Sequence, residues 1–173
     1  MGSAILLTGA PGSGKTTAIM HVLDRLERSR GGFYTQEIRE GGRRTGFRLI
    51  TLDGRQGTMA HVRIGGRPRV GRYGVDLAVV EGLGAESIER AIAARHLVVI
   101  DEIGPMELFS QRFRAAVIQA LESESQILGS IVRRSIPFAD AIKARAGVEL
   151  IEIVRSNREE IVARVLEMMC SSS

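Results

Sequence analysis

The octet Gly9-Ala10-Pro11-Gly12-Ser13-Gly14-Lys15-Thr16 constrains this chain more than any other stretch. It fits G-x-x-x-x-G-K-[ST], the phosphate-cradling Walker A loop, which belongs between a strand and a helix. Both flanks agree. Ala4-Ile5-Leu6-Leu7 is a short apolar run suited to a buried strand. Ala18, Ile19, Met20, Val22, Leu23 and Leu26 fall at helical spacing. The residue types follow from the task. Glycine lets the backbone approach closely and adopt positive φ. Inward N–H groups and the positive end of the helix dipole then meet a polyphosphate. Lys15 brings a point charge to the outer phosphates, and the Thr16 hydroxyl can ligate Mg²⁺. Gly9, Ala10, Pro11, Gly12, Ser13, Gly14, Lys15, Thr16 and Thr17 are therefore the expected nucleotide-binding set.

A second stretch completes the pattern. His96-Leu97-Val98-Val99-Ile100-Asp101-Glu102 is an apolar run ending in two acids. It describes a buried parallel strand that delivers carboxylates at its C-terminal end, where open α/β sheets bind ligands. On this Walker B reading Asp101 holds Mg²⁺ together with Thr16, and Glu102 polarises the attacking water as general base. Ile103 and Gly104 are expected to line the nucleotide. Alone, such a run also describes a strand ending at the surface; paired with a Walker A loop it does not.

Composition removes other classes. The 173 residues suffice for one domain with a good core. With 44% hydrophobic and 25% charged residues the chain is globular, and no apolar run of about eighteen residues suggests a membrane span. The first strand begins close to Met1, so no signal peptide is expected. A single cysteine, Cys170, excludes an intrachain disulfide and favours a cytoplasmic setting. Net charge is +4 and the pI about 10.0. The arginines are nevertheless scattered among acids, and aromatics are only 4%, so stacking platforms for nucleic acid are scarce and nucleic acid is not an expected partner.

The other elements follow in order. A first helix reaching about Ser29 gives way at Gly31-Gly32 to strands from Gly32 to Arg39, Thr45 to Leu52 and Gln56 to Ile64. Residues 65–74 are expected as loop, so that about 32–75 forms a β-rich insertion dense in glycine and arginine. A helix is expected over Glu86–Ala94 and another over Pro105–Ser123. Beyond them come a strand over Gln126–Val132, a helix over Ile136–Arg145, a strand over Val148–Val154 and a last helix capped by Ser156 with Glu159. Residues 170–173 are expected as a short disordered tail. The alternation predicts an α/β, three-layer sandwich around a mostly parallel sheet, one domain over 1–173.

Three blocks together resemble the THEP1-type nucleoside-triphosphatase family, also described as cancer-related nucleoside-triphosphatase: GAPGSGKTT at Gly9, GFYTQEIREGGRRTGF at Gly32 and DEIGPMELFS at Asp101. Weaker agreement runs through GRYGVDL at Gly71 and SNRE at Ser156. The resemblance implies a RecA-like, additional-strand P-loop NTPase fold. It also implies slow, Mg²⁺-dependent hydrolysis of ATP, GTP, CTP and UTP with loose base selectivity.

Other residues carry two readings each. Arg133 and Arg134 follow a strand at its C-terminal end, where Arg133 is the candidate for a cis arginine on the γ-phosphate; the alternative is a solvated pair. Glu107 is either an acid orienting water or metal, or a helix N-terminal acid favoured by the dipole. Asn157 and Arg158 either contact the base or cap the last helix, with capping favoured. Phe33 and Tyr34 suit core packing more than base stacking. His21, His61 and His96 show no metal spacing. Two rival functions share the motifs: a P-loop kinase acting on a nucleoside or other small hydroxyl acceptor, and a nucleotide-gated regulatory module. A monomer is favoured.

Overall fold

The computed structural model describes residues 2–171. From β1 (Ala4–Thr8) the glycine loop leads into α1 (Lys15–Asp24). Next come β2 (Arg30–Glu40), β3 (Arg43–Thr51), β4 (Gln56–His61), β5 (Arg69–Val70) and β6 (Tyr73–Val75). A short α2 (Leu77–Val79) passes through a π-helical turn (Val80–Ala85) into α3 (Glu86–Ala93). Then follow β7 (Leu97–Ile103), a 3₁₀ turn (Glu107–Phe109), α4 (Gln111–Glu122), β8 (Ile127–Ile131), α5 (Pro137–Lys143) and β9 (Val148–Glu152). A 3₁₀ turn (Arg155–Asn157) opens α6 (Arg158–Ser171).

One sheet takes all nine strands, in the order β5-β6-β4-β3-β2-β7-β8-β1-β9. From β2 to β9 it is parallel. From β2 outward through β3, β4, β6 and β5 it is antiparallel. The expected mostly parallel sheet is thus corrected to a mixed one. The cause is local: Gly41 and Gly42, both at positive φ, turn the chain back within a tight hairpin, and so short a connection permits only an antiparallel return. Nor does the β-rich region start as an insertion. Arg30–Phe33 pair in parallel with Leu97–Ile100, and the same strand then continues as the first strand of the antiparallel wing.

Strand alternation sorts the apolar side chains onto two faces. Ala4, Leu6, Val98 and Ile100 pack with Ile88, Phe113, Val117 and Ile142 of α3, α4 and α5. Ile5, Leu7, Leu97 and Val99 pack with Ile19, Val22, Val162 and Val165 of α1 and α6. Helices on both faces make the expected three layers. The central strands are buried on both sides, which explains their unbroken apolar runs. Among the described residues no helix is long and apolar enough to cross a membrane.

Several boundaries differ from expectation for visible reasons. The first helix stops at Asp24 because Arg30, entering β2, caps it: its guanidinium donates to the Leu23 and Leu26 carbonyls. The helix expected from Pro105 breaks at Ser110, whose hydroxyl accepts from Phe113 N at 3.0 Å and starts α4. The last helix begins at Arg158 behind a 3₁₀ turn, with Asn157 Oδ1 accepting from Val154 N at 2.8 Å in place of a Ser156 cap. Cys170 and Ser171, expected in a tail, belong to α6; positions 172 and 173 lie outside the described residues.

Gly32 is where β2 presses against the Walker B strand. Its φ is +107°, and an added Cβ would lie 2.0 Å from the Val99 carbonyl oxygen. Gly32→Ala is therefore expected to destabilise the fold by about 3 kcal/mol. A urea unfolding curve would show the midpoint falling at an unchanged slope; a midpoint within error of the parent would contradict this packing.

Candidate active site

The site lies at the C-terminal ends of β1, β7 and β8, where parallel strands leave a crevice. β1 is wholly buried and leads into Gly9, whose lack of a side chain is required: a Cβ there would sit 2.5 Å from the Ile153 carbonyl oxygen and 2.7 Å from Ser13 Oγ. The loop then turns through Gly12 at φ +77° and Gly14 at φ +96°, conformations that an L side chain rarely adopts. Gly14 is the N-cap of α1, so the first free N–H groups of the helix face the loop's hollow. Ala10, Pro11, Gly12 and Thr17 are exposed around it, and Ser13 is buried beneath. Lys15 arches back over the loop, its Nζ donating to the carbonyls of Gly9 at 2.9 Å and Ala10 at 3.4 Å.

Across the sheet Asp101 meets this loop. Its carboxylate is 2% exposed and accepts from Thr16 Oγ1 at 2.6 Å, from Ser130 Oγ and from the Thr35 N–H. Burial pushes this carboxyl above the usual range, although Ser130, Thr16, Thr35 and Lys15 all favour its charged form. Ser130 sits on β8, the strand between β1 and β7, and no reading of the motifs named it. A serine near the end of an otherwise apolar buried strand was the available signal, because a buried hydroxyl there needs a partner.

Glu102 follows through a cis peptide and is only partly exposed. Burial raises its carboxyl to about 7; the Lys15 charge opposes that rise and Asp101 adds to it. Glu107 joins it. It is 3% exposed, and burial, then Glu102 and Asp101, push it well above the carboxylate range. An added Cβ on Gly104 would lie 2.8 Å from Glu102 Oε2 and 3.1 Å from Glu107 Oε2, so glycine leaves the space in which the two carboxyls converge. Glu107 stands in the first turn of the 3₁₀ helix, as the helix N-terminal reading has it, and it is buried there beside Glu102.

Other candidates fall elsewhere. Ile103, expected to line the nucleotide, is 1% exposed within the core and pairs with Ile131, because the strand continues past the acids. Arg133 is exposed at the rim and pairs with Glu152 of β9 at 3.8 Å. Phe33 is fully buried against Phe113, as packing requires. Asn157 knits its own loop, donating to the Glu152 carbonyl at 3.3 Å besides accepting from Val154. Arg155, which the motifs did not single out, places its Nε 3.2 Å from the Gly12 carbonyl oxygen. The arrangement thus brings a cation, a loop of inward N–H groups, a hydroxyl–carboxylate pair and a half-buried carboxyl to one crevice. Such a set can bind a polyphosphate, hold a hard cation and accept a proton.

Comparison with known proteins shows the family to which the chain belongs. A family model described as NTPase matches residues 4–166. The nucleoside-triphosphatase THEP1 of Thermotoga sp. (strain RQ2) is 44% identical over 165 residues, covering 95% of this chain and 94% of that protein. The cancer-related nucleoside-triphosphatase homolog of Bos taurus is 39% identical, with 99% of each chain covered. Among solved structures, the crystal structure of THEP1 from the hyperthermophile Aquifex aeolicus aligns with a TM-score of 0.88 at 35% identity, over 95% of this chain and 98% of that one.

Proposed function

Because this chain belongs to the nucleoside-triphosphatase family, we propose that it hydrolyses nucleoside triphosphates to diphosphate and orthophosphate by direct attack of water on the γ-phosphorus. The observation that carries this reading is the 2.6 Å bridge from Thr16 to Asp101, which joins the phosphate loop to the acidic strand. We also read the order β7-β8-β1, with one strand between the two that bear the site, as the RecA-like additional-strand arrangement of P-loop NTPases.

Thr16 and Asp101 offer two hard oxygen donors side by side, the chemistry that Mg²⁺ selects. Among the described residues no three His, Cys, Asp or Glu side chains group to hold a metal, and Thr16 and Asp101 are the residues that would hold this one. Held there, a divalent cation would supply charge neutralisation for the phosphate oxygens.

The protein's own groups account for the remaining steps. Lys15 leaves the Gly9 and Ala10 carbonyls for the outer phosphate oxygens, and the loop N–H groups hold the rest of the chain of phosphates. Glu102 orients water for in-line attack and takes its proton; the bond to the β–γ bridging oxygen breaks, and the diphosphate departs. Arg133, at the rim beside β1, would release Glu152 to reach the transferring group. The proposed substrates are ATP, GTP, CTP and UTP with loose base selectivity and slow turnover, in a cytoplasmic monomer.

Two experiments test the reading. Phosphate release without added acceptor should stop on chelation and return with Mg²⁺; release that persists in excess chelator would remove the metal from the account. Arg133→Ala should lower kcat by about 10³-fold with nucleotide affinity unchanged. An unaltered kcat would make Arg133 merely the surface partner of Glu152.

A further inference from the structure

The groups described so far meet phosphate, and nothing yet holds the rest of the nucleotide. We propose that the segment 154–158, between β9 and α6, is the nucleoside subsite, with Arg155 and Arg158 grasping base and ribose. This rests on the nucleotide-binding reading above.

Direction is the first argument. A triphosphate in the loop has its γ end at Lys15, Thr16 and Asp101, and Asp101 belongs to β7, on the β8 side of β1. The nucleoside must leave on the other side, where β9 is the only neighbour of β1 and leads straight into this segment. The segment in fact closes on the loop. Arg155 reaches Gly12 through its Nε, and the Arg158 side chain lies against Gly14, with Cδ 3.3 Å and Nη1 3.4 Å from where a Cβ would stand.

The second argument is that these side chains have capacity left. Among the described residues neither Arg155 nor Arg158 has a carboxylate partner, whereas Arg39, Arg44, Arg63, Arg112 and Arg164 each pair with one. Arg158 makes no hydrogen bond there, and its Nε is buried without one. An arginine half-buried on a phosphate loop with its guanidinium unspent is costly unless something binds it. In the same segment Val154 leaves an apolar side chain 45% exposed.

The third argument is rigidity. Asn157 ties the segment to Glu152 and Val154, and Glu159 lies 3.7 Å from His21 Nδ1 of α1 and 3.9 Å from Nη2 of Arg25, the residue that caps its C-terminal end. The two arginines thus project from a braced turn. Guanidinium planes stack on the face of any base, and a valine gives apolar contact without reading base edges. Such a subsite predicts affinity for nucleosides with little choice among them.

The test separates nucleoside from phosphate contacts. Binding of ATP, GTP, CTP, UTP and inorganic tripolyphosphate, each with Mg²⁺, is measured by calorimetry for the parent and for Arg155→Ala, Arg158→Ala and the double variant. Thermal unfolding of each variant serves as a control on folding. The double variant should bind all four nucleotides about tenfold or more weakly while its tripolyphosphate affinity stays within about twofold. Arg155→Lys should resemble Arg155→Ala, because charge without the plane cannot stack. Equal weakening of tripolyphosphate and nucleotides would make these arginines phosphate ligands and overturn the proposal. So would nucleotide affinities that do not change, or full rescue by lysine. A failure of the hydrolysis reading is distinct: it would appear as absent phosphate release by a parent protein that still binds all four nucleotides.

Discussion

Replacing Glu102 with glutamine is expected to lower kcat by about 10²–10⁴-fold while leaving nucleotide binding nearly intact. Glutamine keeps the size and the position beside Gly104 and Glu107, so the crevice stays filled. What it loses is the ability to accept a proton. The effect belongs in kcat because the carboxyl acts on the attacking water, and the phosphates are held by Lys15 and the loop. A stopped-flow or coupled phosphate assay, with nucleotide affinity measured separately, reads both quantities. If Glu102→Gln turned over at the parent rate, the proton acceptor would lie elsewhere, and Glu107, buried next to it, would be the first place to look.

Lys15→Ala should differ in kind. The expected loss is about 10²–10³-fold in kcat/KM, with affinity for triphosphate falling as well. Lys15 is the one lysine at the loop, and its bonds in the structure go only to the Gly9 and Ala10 carbonyls of that same loop. Removing it therefore costs the fold little and the substrate's outer phosphates their nearest point charge. A thermal unfolding midpoint close to the parent's, with nucleotide affinity reduced, is the predicted pairing. A variant that binds and hydrolyses normally would mean that loop N–H groups and metal suffice.

Both variants act on residues legible in the sequence, because phosphate chemistry demands particular residue types at fixed spacing. The loop from Gly9 to Thr16 and the strand ending at Asp101-Glu102 could be read for that reason, and the burial of β1 and β7 from their unbroken apolar runs. Less could be read where tertiary context decides. The π-helical turn at Val80–Ala85 holds Gly82 and Gly84, poor helix formers, and it packs in place because Leu49 and Phe113 close on Gly84. β5 and β6 are too short to show alternation, and they exist through pairing with each other and with β4. Ser130 and Glu107 matter through what lies across from them, which no local pattern states. Arg155 is hidden for the same reason: its partner is Gly12, at the other end of the chain.

Turnover of ATP in H₂¹⁸O, with Mg²⁺ and no acceptor, tests the central claim most directly. The account predicts sustained release in which each orthophosphate carries one solvent oxygen and the diphosphate carries none, as water attack on the γ-phosphorus requires. Label in the diphosphate would place the attack at the wrong phosphorus. Nucleotide binding without labelled phosphate release would show that water is not the acceptor, and would contradict a self-sufficient hydrolase.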